Sequence, residues 1–241
     1  CISRMGVLAL VYTYMGGIVA VAWTDALQVV VLLGAAIAVV VSVCLSLPDG
    51  MGSVIQIASA DNKFDLGSLD FDLKRSTIWT VLIATVFTNI TTYGTDQTIV
   101  QRYLTTSTEK QARKGVYVNA LLCIPATLLF FFVGTCIYVF FKTHPAGLSP
   151  ASNDADAILP WYVSVHIPTG LLGLVIAGIF AAAMSTISAS MNSAETAYIN
   201  DIHSKISKNG DTLRAAKLAT VVIGIDGIGF SLMMATWDIQ S

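Results

Sequence analysis

A run of oxygen-bearing side chains fills the second half of a long apolar stretch, residues 170–200. In a helix of about 3.6 residues per turn, one face of this stretch carries small and polar residues: Ala181, Ala182, Ser185, Ser188, Asn192 and Glu195. Polar oxygens are costly in lipid, so we expect this face to turn toward other helices, water or a bound ion. Small residues and hydroxyls also hold membrane helices together, and helix packing is therefore the alternative to an ion site.

The best chemical fit for this run is a hard monovalent cation. Ser185 and Thr186 offer adjacent hydroxyls, and the Ala182 carbonyl lies about one turn earlier. Hard cations take several oxygen ligands, and membrane carriers often supply them from helices near the bilayer midplane. Because these oxygens are too few for a complete shell, we expect the remaining ligands on another helix, outside this sequence.

Other apolar stretches also contain candidate residues. Four acids lie within them or at their ends: Asp25, Asp96, Glu195 and Asp226. Charged groups at membrane depth are functional candidates, although Asp226, nearest mid-span, also fits a protonated or paired carboxyl inside a bundle. Asn89, Thr92 and Tyr93 fall within one turn and could hydrogen-bond a polar solute or stack against it. Packing of this polar face against other helices is the alternative.

The composition is that of a membrane protein. Of 241 residues, 55% are hydrophobic and 12% are charged, against a usual charged share of about 25%. With a net charge of −2 and no basic helix, no nucleic-acid partner is expected. No Gly-rich phosphate loop, HExxH motif or nucleophile elbow is present, so the sequence does not predict an enzyme. The cysteines lack CxxC spacing and are predicted to be small hydrophobic residues, buried rather than metal-binding: Cys1, Cys44, Cys123 and Cys136.

The apolar stretches predict an all-α membrane protein with about six transmembrane helices in the lipid bilayer, forming a single domain over residues 1–241. The predicted spans cover residues 5–16, 22–47, 77–102, 115–141, 170–200 and 215–235. Gly16-Gly17 is expected to separate the first two spans. Residues 49–75 and 142–160 are expected to be loops, the former with room for a short surface helix. The sequence begins without Met and stops after an apolar run, so we interpret it as the middle of a longer protein.

Loop charges predict the orientation of these spans. Two loops, 102–114 and 201–217, are rich in basic residues: Arg102, Lys110, Arg113, Lys114, Lys205, Lys208, Arg214 and Lys217. The alternate loops carry fewer basic residues: Lys63, Lys74, Arg75 and Lys142. The positive-inside rule therefore predicts that 102–114 and 201–217 are cytoplasmic, in a multi-pass protein of the plasma (inner) membrane.

Three motifs resemble one known family. They are WTDALQ (23–28) behind YTYMGG (12–17), YGTDQTIVQRYL (93–104), and the long stretch over 170–202. Together they resemble the sodium:solute symporter family, whose members carry sugars, sialic acid, proline, iodide, vitamins and monocarboxylates. The resemblance implies the inverted-repeat helical bundle shared with the amino-acid transporter LeuT, with this chain covering core helices four to nine.

The resemblance also implies residue roles. Ala182 (through its carbonyl), Ser185 and Thr186 match the main sodium site of the family. Asp25 matches an acid on the sodium exit route that belongs, in some members, to a second sodium site. Ser185, Ser188 and Ala189 match the hydroxyl positions of that second site, although Ala189 has no hydroxyl. Residues matching substrate-contact and inner-gate positions are Asn89 and Thr92, with Tyr93 the next aromatic.

The implied function is Na+-coupled symport of a small-molecule solute that is polar and organic, sugar-like or sialic-acid-like. Carriage of a small carboxylate or an amino acid by the same mechanism is the alternative within the family. Two readings from other classes also stay open, a symporter-like sensor domain fused to a histidine kinase and a passive channel.

Overall fold

The computed structural model describes residues 2–65, 67–72, 74–75, 77–147, 155–206 and 211–236. Within these ranges the chain is almost entirely helical, and no strand occurs among them. Cys1, Lys208 and part of the predicted 142–160 loop lie outside the described residues. The observed secondary structure confirms the all-α prediction.

The helices follow one another along the chain with few long connections. Their bounds are α1 (Ile2–Ser46), α2 (Met51–Ala60), α3 (Ile78–Thr95), α4 (Gln97–Leu104), α5 (Glu109–Thr143), α6 (Ala155–His166), α7 (Thr169–Tyr198), α8 (Ser204–Ile206) and α9 (Thr212–Thr236). A 3₁₀ turn covers Pro145–Gly147, and a π-helical turn, Ile199–His203, joins α7 to α8.

The chain divides into two compact units. The first unit contains the described residues of Cys1–Leu32, Gln97–Thr105 and Ile179–Ser241, and the second contains those of Leu33–Asp96 and Thr106–Gly178. Each unit is described by itself below. The single transmembrane domain over 1–241 stays a prediction.

Four helices among the described residues are long and apolar enough to cross a bilayer. They are Ser3–Ser46, Glu109–Thr143, Thr169–Ile206 and Thr212–Ala235. The 45 residues of α1 are about twice the number that one crossing of the hydrocarbon needs. The sequence predicted about six spans because it divided α1 into two spans and also counted the stretch that contains α3, which is the least apolar of the six predicted spans.

Gly17 divides α1. Its φ of 53° and ψ of −148° are not helical, and glycine adopts such angles at little cost. The interruption predicted at Gly16-Gly17 is therefore confirmed.

Other boundaries differ from the prediction. The span expected over 77–102 is two helices, because Asp96 is extended (φ −68°, ψ 115°). The loop expected over 142–160 is shorter, because α5 continues to Thr143 and α6 begins at Ala155.

The second unit has a hydrophobic core formed by the later part of α1 with α2, α5 and α6. Tyr162 is fully buried at its centre and donates a hydrogen bond to Ser42 Oγ at 3.1 Å. Cys136 is buried in this core, whereas Cys123 is exposed on α5. Burial was therefore predicted correctly for Cys136 and wrongly for Cys123, whose apolar surroundings in sequence face outward in the fold.

In the first unit, glycines let α9 approach α1 and α7 closely. A Cβ at Gly6 would lie 2.5 Å from Ile228 Cγ1, and one at Gly224 would lie 2.7 Å from a Leu10 methyl and 3.1 Å from Met191 Sδ. This packing places α9 against the early part of α1 and against α7, which carries Ser185.

Candidate cation site

Asp25 on α1 is held by two side chains from distant parts of the sequence. Ser185 on α7 donates its hydroxyl to Asp25 Oδ1 at 2.6 Å. Arg102 on α4 donates from Nη2 to Asp25 Oδ2 at 2.5 Å. All three residues belong to the first unit. The structure thus brings together Ser185 and Asp25, which the family resemblance implies for one second sodium site.

The carboxylate of Asp25 is nearly enclosed, with 7% of the residue exposed. A buried charge is costly unless it is paired and hydrogen-bonded, and Asp25 meets both conditions here. Bonds from a guanidinium and a hydroxyl to a carboxylate are charge-assisted and therefore stronger than neutral ones. The arrangement is a carboxylate flanked by one neutral and one cationic donor.

The polar face predicted for α7 turns inward. Ser188 and Asn192 are buried with Ala181, and the remaining members of the face are half-buried. Ser188 lies one turn along α7 from Ser185 and donates its hydroxyl to the Ser185 carbonyl at 3.1 Å. This burial agrees with the expectation that the face turns toward other helices, water or a bound ion. Asp226, by contrast, is exposed on α9, so the buried carboxyl considered for it is wrong for this structure.

Thr186 lies beside this face but points elsewhere. It is exposed, and its hydroxyl donates to the Ala182 carbonyl at 3.1 Å, so two predicted ligand oxygens are adjacent. Thr186 also lines a cavity of about 350 Å³ with small residues of α1 and α9, among them Gly6, Gly224 and Gly227. Thr186 therefore lies on the side of α7 that lines this cavity, whereas Ser185 contacts Asp25.

The solute-binding candidates lie on α3, in the second unit. Asn89 is exposed and donates to the Thr85 carbonyl of its own helix at 2.8 Å. Thr92 and Tyr93 are half-buried, and the Tyr93 hydroxyl accepts a hydrogen bond from Asn119 on α5 at 2.7 Å. Because each unit is described separately, the proposed roles of these three residues stay predictions.

Sequence reasoning missed the role of Arg102, which it counted only as a loop charge. The signal available in the sequence is the place of Arg102 in the YGTDQTIVQRYL motif, at the end of the span predicted over residues 77–102.

Tyr12 was also missed: its hydroxyl donates to the Met184 carbonyl at 3.3 Å, next to Ser185. Such pairings between distant positions leave no trace in helical periodicity.

The chemistry of the site suits an alkali cation. It consists of a carboxylate, hydroxyls and backbone carbonyls, which are ligands that hard cations prefer. Among the residues that the structure describes, no group of three or more His, Cys, Asp or Glu side chains could hold a metal ion. Several buried polar atoms of the first unit have no hydrogen-bond partner in the protein, among them Thr13 Oγ1, Gln101 Oε1 and Asn192 Nδ2.

Comparison with known proteins gives a consistent result. The model of the sodium:solute symporter family matches residues 1–236. The chain is 34% identical over 245 residues to the sodium/sialic acid symporter SiaT of Proteus mirabilis, covering 100% of this chain and 48% of the relative. It is 36% identical over 228 residues to the sodium/sialic acid symporter NanT of Aliivibrio fischeri, covering 93% of this chain and 45% of the relative.

A solved structure shares the fold. It is the substrate-bound, outward-open state of a Na+-coupled sialic acid symporter, with a TM-score of 0.90 and 31% identity over 98% of this chain and 51% of that one. The chain thus spans about half the length of the relatives it matches. Its all-α fold is part of a LeuT-like helical bundle, and the chain belongs to the sodium:solute symporter family.

Proposed function

We propose that the protein containing this chain is a sodium-coupled secondary active transporter of a sialic-acid-like solute. Two relatives with 34% and 36% identity are named sodium/sialic acid symporters, and neither is named as an enzyme. The observation that carries the proposal is the buried Asp25 carboxylate, bonded at once to the α7 hydroxyl of Ser185 and to Arg102. Lower similarity, 31% over 199 residues, to a bovine sodium-coupled monocarboxylate transporter makes a small carboxylate the second candidate solute.

Sodium is proposed to bind at two places on α7. The Ala182 carbonyl and the hydroxyls of Ser185 and Thr186 form part of one site, completed by ligands from outside this chain. Asp25, Ser185 and Ser188 form a second site or a step on the exit route. The 3.1 Å separation of the Ala182 and Thr186 oxygens and the burial of Ser188 support these assignments.

The solute is proposed to contact α3 through Asn89, Thr92 and Tyr93. The exposure of Asn89 leaves its carbonyl oxygen accessible, and the bond from Asn119 holds the Tyr93 ring in place. A polyhydroxylated solute needs such hydrogen-bonding groups beside an aromatic surface. The break after α3, at Asp96, is consistent with a helix end close to a binding site.

Inward sodium movement supplies the driving force in this proposal. Each sodium charge that crosses about 100 mV contributes about 2.3 kcal/mol from the electric field. The protein is proposed to lie in the plasma (inner) membrane, with loops 102–114 and 201–217 in the cytoplasm. Accessibility of single cysteines placed in these loops to a membrane-impermeant reagent tests that orientation; labelling from outside intact cells contradicts it.

Uptake by the full-length protein in proteoliposomes tests the function. Labelled sialic acid, a hexose, proline and a monocarboxylate are offered with an inward sodium gradient and with potassium in its place. We expect sialic acid to accumulate above its external concentration only with sodium. Equal flux without sodium favours a passive channel, and the absence of any flux with ligand-dependent kinase activity favours the sensor alternative.

A further inference from the structure

Arg102 occupies the side of the Asp25 carboxylate that Ser185 leaves open. The two donors contact different oxygens, Arg102 at Oδ2 and Ser185 at Oδ1. The Asp25 side chain is 9% exposed, whereas that of Arg102 is 46% exposed. The arginine therefore reaches from an accessible position to a carboxylate that is almost fully enclosed.

This pairing gives the carboxylate a counter-charge from the protein itself. A sodium ion bound to the same carboxylate would lie within a few ångströms of the guanidinium. The two positive charges would repel strongly there, because little water screens them at an enclosed carboxylate. The guanidinium and a transported cation therefore oppose each other at Asp25.

The position of Arg102 in the chain allows the pairing to be reversible. It lies in the last turn of α4, a helix of eight residues that begins after the extended Asp96. Short helices with non-helical residues beside them shift at lower cost than interior turns of long helices. The partial exposure of the Arg102 side chain also leaves space for the guanidinium to move away from the carboxylate.

We propose that Arg102 is an internal competitor of sodium at Asp25: it pairs with the carboxylate when sodium leaves, and it is displaced when sodium binds. This inference rests on the proposed function and adds a residue that sets the sodium affinity of that site. By linkage, bound sodium weakens the ion pair by the same factor by which the ion pair weakens sodium binding. The enclosed carboxylate is thereby never left without a positive partner, whose loss would be costly.

Sodium binding by the purified full-length protein, without solute, tests this role. Binding is followed by sodium-dependent thermal stabilisation, with potassium holding the ionic strength constant. We expect Arg102→Gln to lower the sodium concentration for half-maximal stabilisation by about tenfold, within the usual range of coupling between sites. Arg102→Gln is also expected to melt earlier than the wild type in potassium and to recover in sodium, because the cation then replaces the missing guanidinium.

The controls separate competition from a purely structural role. Arg113→Gln removes an exposed charge of the same predicted loop and should leave the half-maximal sodium concentration unchanged. Arg102→Lys keeps the charge and is expected to stay close to the wild type. Arg102→Met removes the charge but keeps a long side chain, and it is the second neutral variant if Arg102→Gln does not fold, with the same expected fall in the half-maximal sodium concentration. In an Asp25→Asn background, Arg102→Gln should no longer change sodium binding.

The outcomes distinguish this inference from the function on which it rests. If the wild type shows sodium-dependent stabilisation and uptake but Arg102→Gln binds sodium with unchanged or weaker affinity, the competition is refuted and the function stands. If the wild type responds equally to sodium and potassium in both measurements, the proposed function fails first. A fall in melting temperature of Arg102→Gln that is equal in both salts also overturns the competition, because it indicates packing alone.

Discussion

At the scale of single residues, the site depends on a carboxylate whose two oxygens have different partners. One partner, Ser185, is neutral and lies on the helix that carries the proposed sodium ligands; the other, Arg102, is charged. Residue types and helical spacing predicted that Ser185 and Asp25 carry chemistry. They could not predict that the two are bonded, because 160 positions separate them and only the tertiary fold brings them together.

Ser185→Ala tests the neutral partner. Because the Ser185 hydroxyl is a proposed sodium ligand, its loss is expected to raise the half-maximal sodium concentration for uptake by about tenfold, which corresponds to about 1.4 kcal/mol of binding free energy. Thr186→Ala is expected to weaken sodium dependence in the same direction. Sodium titration of solute uptake measures both effects.

Thr196→Ala is the matched control for this experiment. It removes a hydroxyl of the same helix that donates to the Asn192 carbonyl, within that helix. Its sodium titration should match that of the wild type. Unaltered sodium affinity in both Ser185→Ala and Thr186→Ala would remove these hydroxyls from the site.

At the scale of helices, the sequence predicted which helices exist better than it predicted where they begin and end. Long apolar stretches predicted α5, α7 and α9, because a membrane helix needs an uninterrupted apolar run. The end of α3 at Asp96 and the start of α6 at Ala155 were not predicted. Both depend on local backbone geometry in mixed polar sequence, where composition is compatible with either helix or loop.

The break in α1 makes a prediction about Gly17. Its positive φ with ψ of −148° belongs to a region that is essentially restricted to glycine, so Gly17→Ala is expected to destabilise the protein by about 1–3 kcal/mol. No atom lies within 4 Å of the added methyl group, so this cost is conformational rather than steric. Thermal unfolding of the purified protein measures it.

Gly34→Ala provides the control, because Gly34 also has nothing within 4 Å of an added methyl group but has no positive φ. Alanine is more favourable than glycine inside a helix by about 1 kcal/mol, so this variant is expected to be more stable than the wild type. The account of α1 is wrong if the two variants change stability in the same direction and by similar amounts.

The connection between α2 and α5 depends on pH. Lys142 Nζ donates to Asp61 Oδ1 at 2.6 Å, Tyr138 donates to Asp61 Oδ2 at 3.0 Å, and Lys63 lies over the Tyr138 ring. The hydrogen bond from Lys142 lowers the pKa of Asp61 below its ordinary value of about 4. This contribution to stability is therefore complete above about pH 4 and is lost as the pH falls through the lowered pKa.

Unfolding of the wild type and Asp61→Asn at several pH values measures this contribution. The wild type is expected to be the more stable at pH 7. The difference should shrink in high salt, decrease as the pH falls below about 4, and vanish only below the lowered pKa of Asp61. Asp65→Asn, which alters a carboxylate that accepts the Gly67 amide within the following loop, is the control. A difference between wild type and Asp61→Asn that is independent of pH would exclude the ion pair as its cause.

At the scale of the whole molecule, composition and the three motifs were sufficient for the class and the family. A charged share of 12% and several long apolar runs require helices, because lipid cannot satisfy backbone polar groups. The division into two units, with α4 assigned to the unit that contains Asp25 while its neighbours α3 and α5 belong to the other, was not predicted. It follows from tertiary packing, which the local patterns of a single sequence do not predict.

The most direct test of the sodium site is the sodium dependence of solute uptake by Asp25→Asn in the full-length protein. The neutral amide keeps the size of the side chain but removes the charge that attracts the cation. We predict slow uptake that needs a much higher sodium concentration, in a protein that still folds and inserts. Uptake by Asp25→Asn with the rate and sodium dependence of the wild type would contradict the account.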